Sequence, residues 1–209
     1  MRIGRVAAVV LVIVAILAGE WLWLQAAREQ PAADGGLVIM TPAAPGGAFS
    51  LIDHSGRPVT EQSFRGKHVV MVFGYTSCPD VCPATLTAVV GAMELLGAKA
   101  QAVQPLFVTV DPERDTPAVL AKYVAAFHPR LLGLTGSPEQ IRQMAQDYRV
   151  YVAKGETSGG AYPVDHSAYV YVIGPEGRVL TYLKHETTPQ AMATAIERLM
   201  SQRTSGGSL

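Results

Sequence analysis

Apolar residues follow two rhythms along this chain, and one stretch has neither. Ile3 to Leu24 reads IGRVAAVVLVIVAILAGEWLWL, broken only by Arg5 and Glu20. A helix that crosses a bilayer needs about 20 mostly apolar residues. A cleaved leader has a shorter apolar core that ends at a small-x-small site. Val6 to Gly19 suits either, but no good A-x-A site follows, and Trp21 and Trp23 are residues that settle at a membrane–water interface. The run therefore reads as an uncleaved, single-pass anchor in preference to a buried core helix. Arg2 and Arg5 precede it, which by the positive-inside rule leaves the N-terminus in the cytoplasm and the rest on the exported, periplasmic-type face.

Beyond the run, Pro31, Gly35, Gly36, Pro42, Pro45, Gly46 and Gly47 punctuate a stretch that reads as a flexible tether. Phe49 to Val59 predicts a small hairpin turning on polar residues. Val69 to Phe73 and Leu106 to Val110 are short apolar runs that suit strands buried on both faces. Ala84 to Leu96 has helical spacing and stops at Gly97. Thr116-Pro117 and Ser137-Pro138-Glu139-Gln140 are helix starts, with helices expected to about Phe127 and Tyr148. Ser167–Ile173 and Val179–Leu183 flank Gly174-Pro-Glu-Gly177 and predict an antiparallel hairpin. A last helix is expected from Thr188 to Arg203. This order predicts an α/β fold, a mixed sheet with helices on both faces. The expected organisation is a membrane anchor over 1–24, a tether over 25–47, one folded domain over 48–203 and a disordered tail over 204–209.

Composition narrows the function. Seventeen basic and 17 acidic side chains balance, so there is no polyanion-binding footprint and nucleic acid is excluded as a partner. A hydrophobic content of 49% is too high for a disordered chain. Two cysteines can make neither a disulfide framework nor a four-cysteine zinc ribbon. On an exported face two neighbouring thiols can persist as a disulfide, so their redox state becomes a variable.

Those cysteines, Cys78 and Cys82, stand between an apolar strand and a helix, with Pro83 next. Pro83 is well placed as the first helical residue, which would leave both thiols in a loop at a helix N-terminus. Free N–H groups and the positive end of the helix dipole favour thiolate there. A thiolate is both a redox nucleophile and a soft metal ligand, so either use is open, as is an inert structural pair.

Gly74-Tyr-Thr-Ser-Cys-Pro-Asp-Val-Cys-Pro83, Val110-Asp-Pro-Glu-Arg-Asp-Thr-Pro117 and Val164-Asp-His-Ser-Ala-Tyr-Val-Tyr-Val-Ile-Gly-Pro-Glu-Gly-Arg178 together resemble the Sco/SenC family. The likeness runs from about Phe49 to Met200. It implies a thioredoxin-like fold, behind a membrane anchor, that binds copper and serves cytochrome c oxidase assembly. In that family two cysteines and a distant histidine hold the metal, which the match places on Cys78, Cys82 and His166. Two thiolates and an imidazole suit Cu(I) and tolerate Cu(II), whereas structural zinc usually takes four protein ligands. Thioredoxin-like folds usually carry a cis-proline at the position that His166 occupies, which argues against a general reductase.

Around those three, Asp111 is expected either to shape its turn or to tune the site, and Asp165 either to orient His166 through a ring N–H or to be a solvated loop acid. Asp80 is expected to be exposed, and Tyr75 to pack beside the site. His54, His68, His128 and His185 read as packing or surface residues, and Met93, Met144, Met192 and Met200 as core. The resemblance implies delivery of copper from an upstream donor protein to the dicopper site of cytochrome c oxidase subunit II. The alternative is a membrane-tethered thiol-disulfide oxidoreductase that reduces the cysteines of that site. A redox- or copper-sensing module ranks last, since no signalling segment is present.

Overall fold

A computed structural model describes residues 18, 20–21, 38–39, 46–157 and 162–205. The expected anchor over 1–24, apart from Ala18, Glu20 and Trp21, most of the expected tether, and residues 206–209 of the expected tail lie outside the described residues. The chain divides into the units Met1–Asp34 and Gly35–Leu209. Every strand and helix named below belongs to the second.

In chain order the strands and helices are β1 (Val38–Ile39), β2 (Ser50–Asp53), β3 (Pro58–Thr60), β4 (His68–Gly74), α1 (Val81–Leu96), β5 (Val103–Thr109), α2 (Pro117–Ala125), β6 (Leu132–Thr135) and α3 (Pro138–Asp147). They continue with β7 (Val152–Lys154), β8 (Val164–His166), β9 (Tyr169–Ile173), β10 (Val179–Lys184) and α4 (Pro189–Ser205). Eight strands form one mixed sheet in the order β1-β10-β9-β4-β5-β6-β2-β3, while β7 and β8 pair only with each other. β4, β5 and β6 run parallel, and β9 lies antiparallel against β4.

The apolar run of β4 is buried along its whole length because both its faces are covered. Val69, Met71 and Phe73 join Leu106, Val108, Ile141 and Met144 on the α3 side. Val70 and Val72 join Leu86, Val89, Met93, Leu120, Met192 and Ile196 under α1, α2 and α4. The period of two along the strand thus splits one sequence run between two cores. The two predicted helix starts form as expected. Thr116 accepts the Val119 N–H ahead of Pro117, and Ser137 and Gln140 make a reciprocal capping box.

Several boundaries move. Val38 and Ile39 fall in the stretch read as tether, yet they form the outer strand β1 against Tyr182 and Thr181. β5 begins at Val103 although Pro105 lies within it. The pairing with β6 starts only at Leu106, so the missing Pro105 N–H falls where no β6 partner stands. The first helix begins at Val81 instead of Ala84, and the last runs to Ser205 instead of Arg203. The hairpin strand begins at Tyr169, leaving Ser167 outside it.

Candidate metal centre

Three segments distant in sequence end at one place. The cysteine loop follows β4, the turn Asp111–Asp115 follows the parallel neighbour β5, and His166 closes β8. The Val110 N–H donates to the Gly74 carbonyl (2.8 Å), which joins the first two segments.

Cys82 lies in the first turn of α1 and not in the preceding loop, which corrects the expectation for that thiol. Pro83 follows it within the helix. Its missing N–H costs little there, because the first amides of a helix have no intrahelical acceptor. The Ala84 N–H makes the first bond, to the Asp80 carbonyl (3.1 Å). The Cys82 N–H donates to Cys78 Sγ at 3.4 Å, so one thiol caps the turn that holds the other. Gly74 lets the buried sulfur approach the strand: a Cβ there would meet Cys82 Sγ at 2.8 Å and the Phe107 ring at 2.7 Å.

His166 Nε2 lies 3.5 Å from Cys82 Sγ. Its Nδ1 stands 3.1 Å from the Ser167 carbonyl. A carbonyl only accepts, so Nδ1 carries the hydrogen and Nε2 presents its lone pair to the sulfur. Burial lowers the imidazole pKa, which keeps the ring in its neutral, ligating form. The expected Asp165 contact is not what orients the ring. Asp165 is exposed, and the Ser167 carbonyl takes the ring N–H instead. Neighbouring residues of a strand point to opposite faces, so Asp165 turns away as His166 turns in.

The two thiols are not equivalent, although both are free. Burial pushes Cys82 up to about 12. Partial burial also opposes ionisation of Cys78, but the backbone amides of Cys82 and Asp80 and the Tyr75 side chain bring it below its ordinary value. Of the pair, the half-buried Cys78 is the more readily ionised.

Asp111 is fully buried and serves the turn. It binds the Arg114 guanidinium and accepts the Tyr162 hydroxyl at 2.9 Å. It touches neither cysteine directly, and reaches the site only through those neighbours. Asp80 is exposed, as expected. His54 and His128 accept backbone N–H groups with Nδ1, and Met93, Met144 and Met192 lie in the two cores.

Asp115, Arg114 and Tyr162 were not singled out from the sequence. Asp115 is fully buried and accepts the Thr76 N–H (3.0 Å), the Thr76 hydroxyl (2.6 Å) and the Thr109 hydroxyl (2.6 Å). It pins the cysteine loop to the end of β5. Its signal was an acid directly before a capped helix, where the cap role already belongs to Thr116. Tyr75 does more than pack. Its carbonyl accepts the Cys78 N–H (3.2 Å), and its ring meets His166 edge-on at 6.0 Å.

Among the described residues no group of three or more His, Cys, Asp and Glu is gathered closely enough to hold a metal as it stands. The contact pair is Cys82–His166, with Cys78 Sγ on the Cys82 amide. Two sulfurs and one imidazole nitrogen nonetheless form a soft, low-coordinate donor set that fits copper better than structural zinc.

Proteins similar to this chain have been solved with copper bound. The family model described as SCO1/SenC matches residues 40–201. The chain is 43% identical over 189 residues to the bovine (Bos taurus) mitochondrial protein SCO2 homolog, covering 88% of this chain and 71% of that protein. The copper-bound crystal structure of Arabidopsis thaliana ScoI is 39% identical with a TM-score of 0.73, covering 76% of this chain and 99% of that one. Copper-bound Bradyrhizobium japonicum ScoI is 41% identical with a TM-score of 0.70, covering 74% and 99%. The fold is therefore the thioredoxin-like one of the Sco structures, and the chain belongs to the SCO1/SenC family.

Proposed function

We propose that the chain is a copper-binding factor for cytochrome c oxidase assembly. It accepts Cu(I) or Cu(II) from an upstream donor protein and passes the ion to the dicopper site of oxidase subunit II. Copper is the cargo. Cys78, Cys82 and His166 hold it, and stepwise ligand exchange, thiolate for thiolate, hands it on. The observation that supports this most is the Cys82–His166 contact of 3.5 Å, with Nδ1 engaged elsewhere and Nε2 left to ligate. The copper carried by the two related ScoI structures supports it further. In the same reading, residues 1–24 are the single-pass anchor, 25–47 the tether and 48–203 the copper-binding head on the exported face. Donor and acceptor then meet on one membrane surface.

The unequal thiols favour a second reading, a thiol-disulfide oxidoreductase. Cys78 thiolate attacks one sulfur of a disulfide in the partner and releases the other as thiol. Cys82 then attacks the mixed disulfide, so the partner gains two electrons and Cys78–Cys82 becomes a disulfide.

Copper titration of the reduced full chain in detergent, beside His166→Ala, separates the two. One tight copper per chain, weakened at least tenfold in the variant, supports delivery. No tight copper, with partner-disulfide reduction that ignores His166, leaves the reductase.

A further inference from the structure

The cysteine loop is placed by sheet register, but the segment that brings His166 to it is not. β7 and β8 form their own two-stranded sheet, and their bonds of register run only between Val152–Lys154 and Val164–His166. On the C-terminal side His166 is tethered by β9, which starts at Tyr169. On the N-terminal side Val164 is buried in the core, and the turn after β5 supplies the polar ties. Arg114 Nη1 donates to the Tyr162 carbonyl at 2.9 Å, and its Nε binds the buried Asp111 carboxylate. The guanidinium carbon sits 3.8 Å from the centroid of the Tyr162 ring and 5.6 Å from that of Tyr75. The Tyr162 hydroxyl in turn donates to Asp111. Tyr75 is the ring that faces His166. One planar cation therefore lies between the aromatic of the cysteine loop and the aromatic of the histidine arm, bonded to both the turn and the arm.

We propose that Arg114 is a positioning residue for His166: it clamps the β7–β8 arm so that the imidazole stands over Cys82. It rests on the copper-site reading only for its effect on metal, because the clamp itself exists in the metal-free chain. Arginine suits the task because its flat guanidinium stacks on rings while its several N–H groups bond at fixed angles. A lysine keeps the charge but offers neither. A residue that acts through a ligand, and not on the metal, has an effect that disappears when the ligand is gone.

The test uses the reduced full chain in detergent with Arg114→Ala, Arg114→Lys and Tyr162→Phe, each alone and combined with His166→Ala. Cu(I) affinity is read by chelator competition and Cu(II) binding by the sulfur-to-copper charge-transfer absorption. Amide hydrogen exchange is followed in Val152–Lys154 and Val164–His166 without metal. Arg114→Ala is expected to weaken copper about 10- to 100-fold, the usual cost of losing an outer partner of a ligand, and to shift the absorption band. Arg114→Lys is expected to recover little, and Tyr162→Phe to lose only severalfold. None of the three should weaken copper further once His166 is Ala. Exchange in the arm should rise at least tenfold in Arg114→Ala while β4 stays protected.

Wild-type affinity in Arg114→Ala, or an equal loss with and without His166, overturns the proposal. If Arg114→Ala does not fold, the same comparison for Arg114→Lys and Tyr162→Phe decides it. If the wild-type chain binds no copper, the copper reading fails, and unchanged or raised arm exchange still refutes or supports the clamp.

Discussion

The cysteine loop and the histidine arm meet at one site but are held there by different means. The loop grows out of β4, whose residues pair on both sides and are buried throughout. Its own polar groups are satisfied by a carboxylate, Asp115, that no solvent reaches. The arm is a separate pair of short strands. Val164 anchors it in the core shared with β4, and Arg114, the Tyr162 hydroxyl and the Lys154–Glu113 ion pair (2.7 Å), whose two side chains are half exposed, fasten its rim. A centre built this way has a fixed floor and a detachable wall. If the proposed copper delivery holds, His166 yields before the thiolates in ligand exchange with a partner.

The largest effect expected from breaking this contrast is in the loop. Asp115→Ala strands the Thr76 amide and both threonine hydroxyls in a dry place, and should cost about 3 kcal/mol of stability. Denaturant unfolding measures it, and a loss below about 1 kcal/mol would show that the loop is not held by this carboxylate. Alkylation comes next in size. Cys78 should react with iodoacetamide at least tenfold faster than Cys82 in the native chain. Its rate should climb with pH and level off below the range of an ordinary thiol, because its lowered pKa completes thiolate formation early. Cys82, pushed up to about 12, should stay unreactive across the neutral range. Mass spectrometry of each labelled site checks this, and equal labelling would put the two sulfurs in one environment. On the arm, Lys154→Ala should cost under about 1 kcal/mol, since exposed pairs contribute little. A larger loss in thermal unfolding would mean that this ion pair, and not the burial of Val164, holds the arm. Smallest of all, Asp165→Asn should leave copper affinity unchanged within twofold; a tenfold loss would restore it as the group that orients His166.

The same contrast decides what could be read from the sequence. The strand and helix starts of the body follow from local rules: an apolar run buried on both sides, a threonine before Pro117, a serine three before Gln140. Cys78 and Cys82 were visible because they stand at one such boundary, and His166 because of the motif around it. Arg114 and Tyr162 are 48 residues apart, and nothing local to either predicts that one stacks on the other. The acidity of the Cys82 thiol escapes the sequence for a related reason. The helix N-terminus favours thiolate, but three-dimensional burial under Gly74 and Phe107 is the stronger influence and has no signature in a seven-residue window. Asp165 was assigned to the ring N–H by adjacency, whereas strand alternation sends neighbouring side chains to opposite faces.

The contact between Cys82 and His166 has one more consequence. With the sulfur protonated and the ring lone pair facing it, the Cys82 S–H donates to His166 Nε2. In the proposed copper site the metal would displace that proton, so acid would compete directly with copper. Affinity should fall by about tenfold for each pH unit of acidification for every thiol that must ionise to bind. Acidity outside the membrane would then act on release as well as on capture, with no second site needed to sense it.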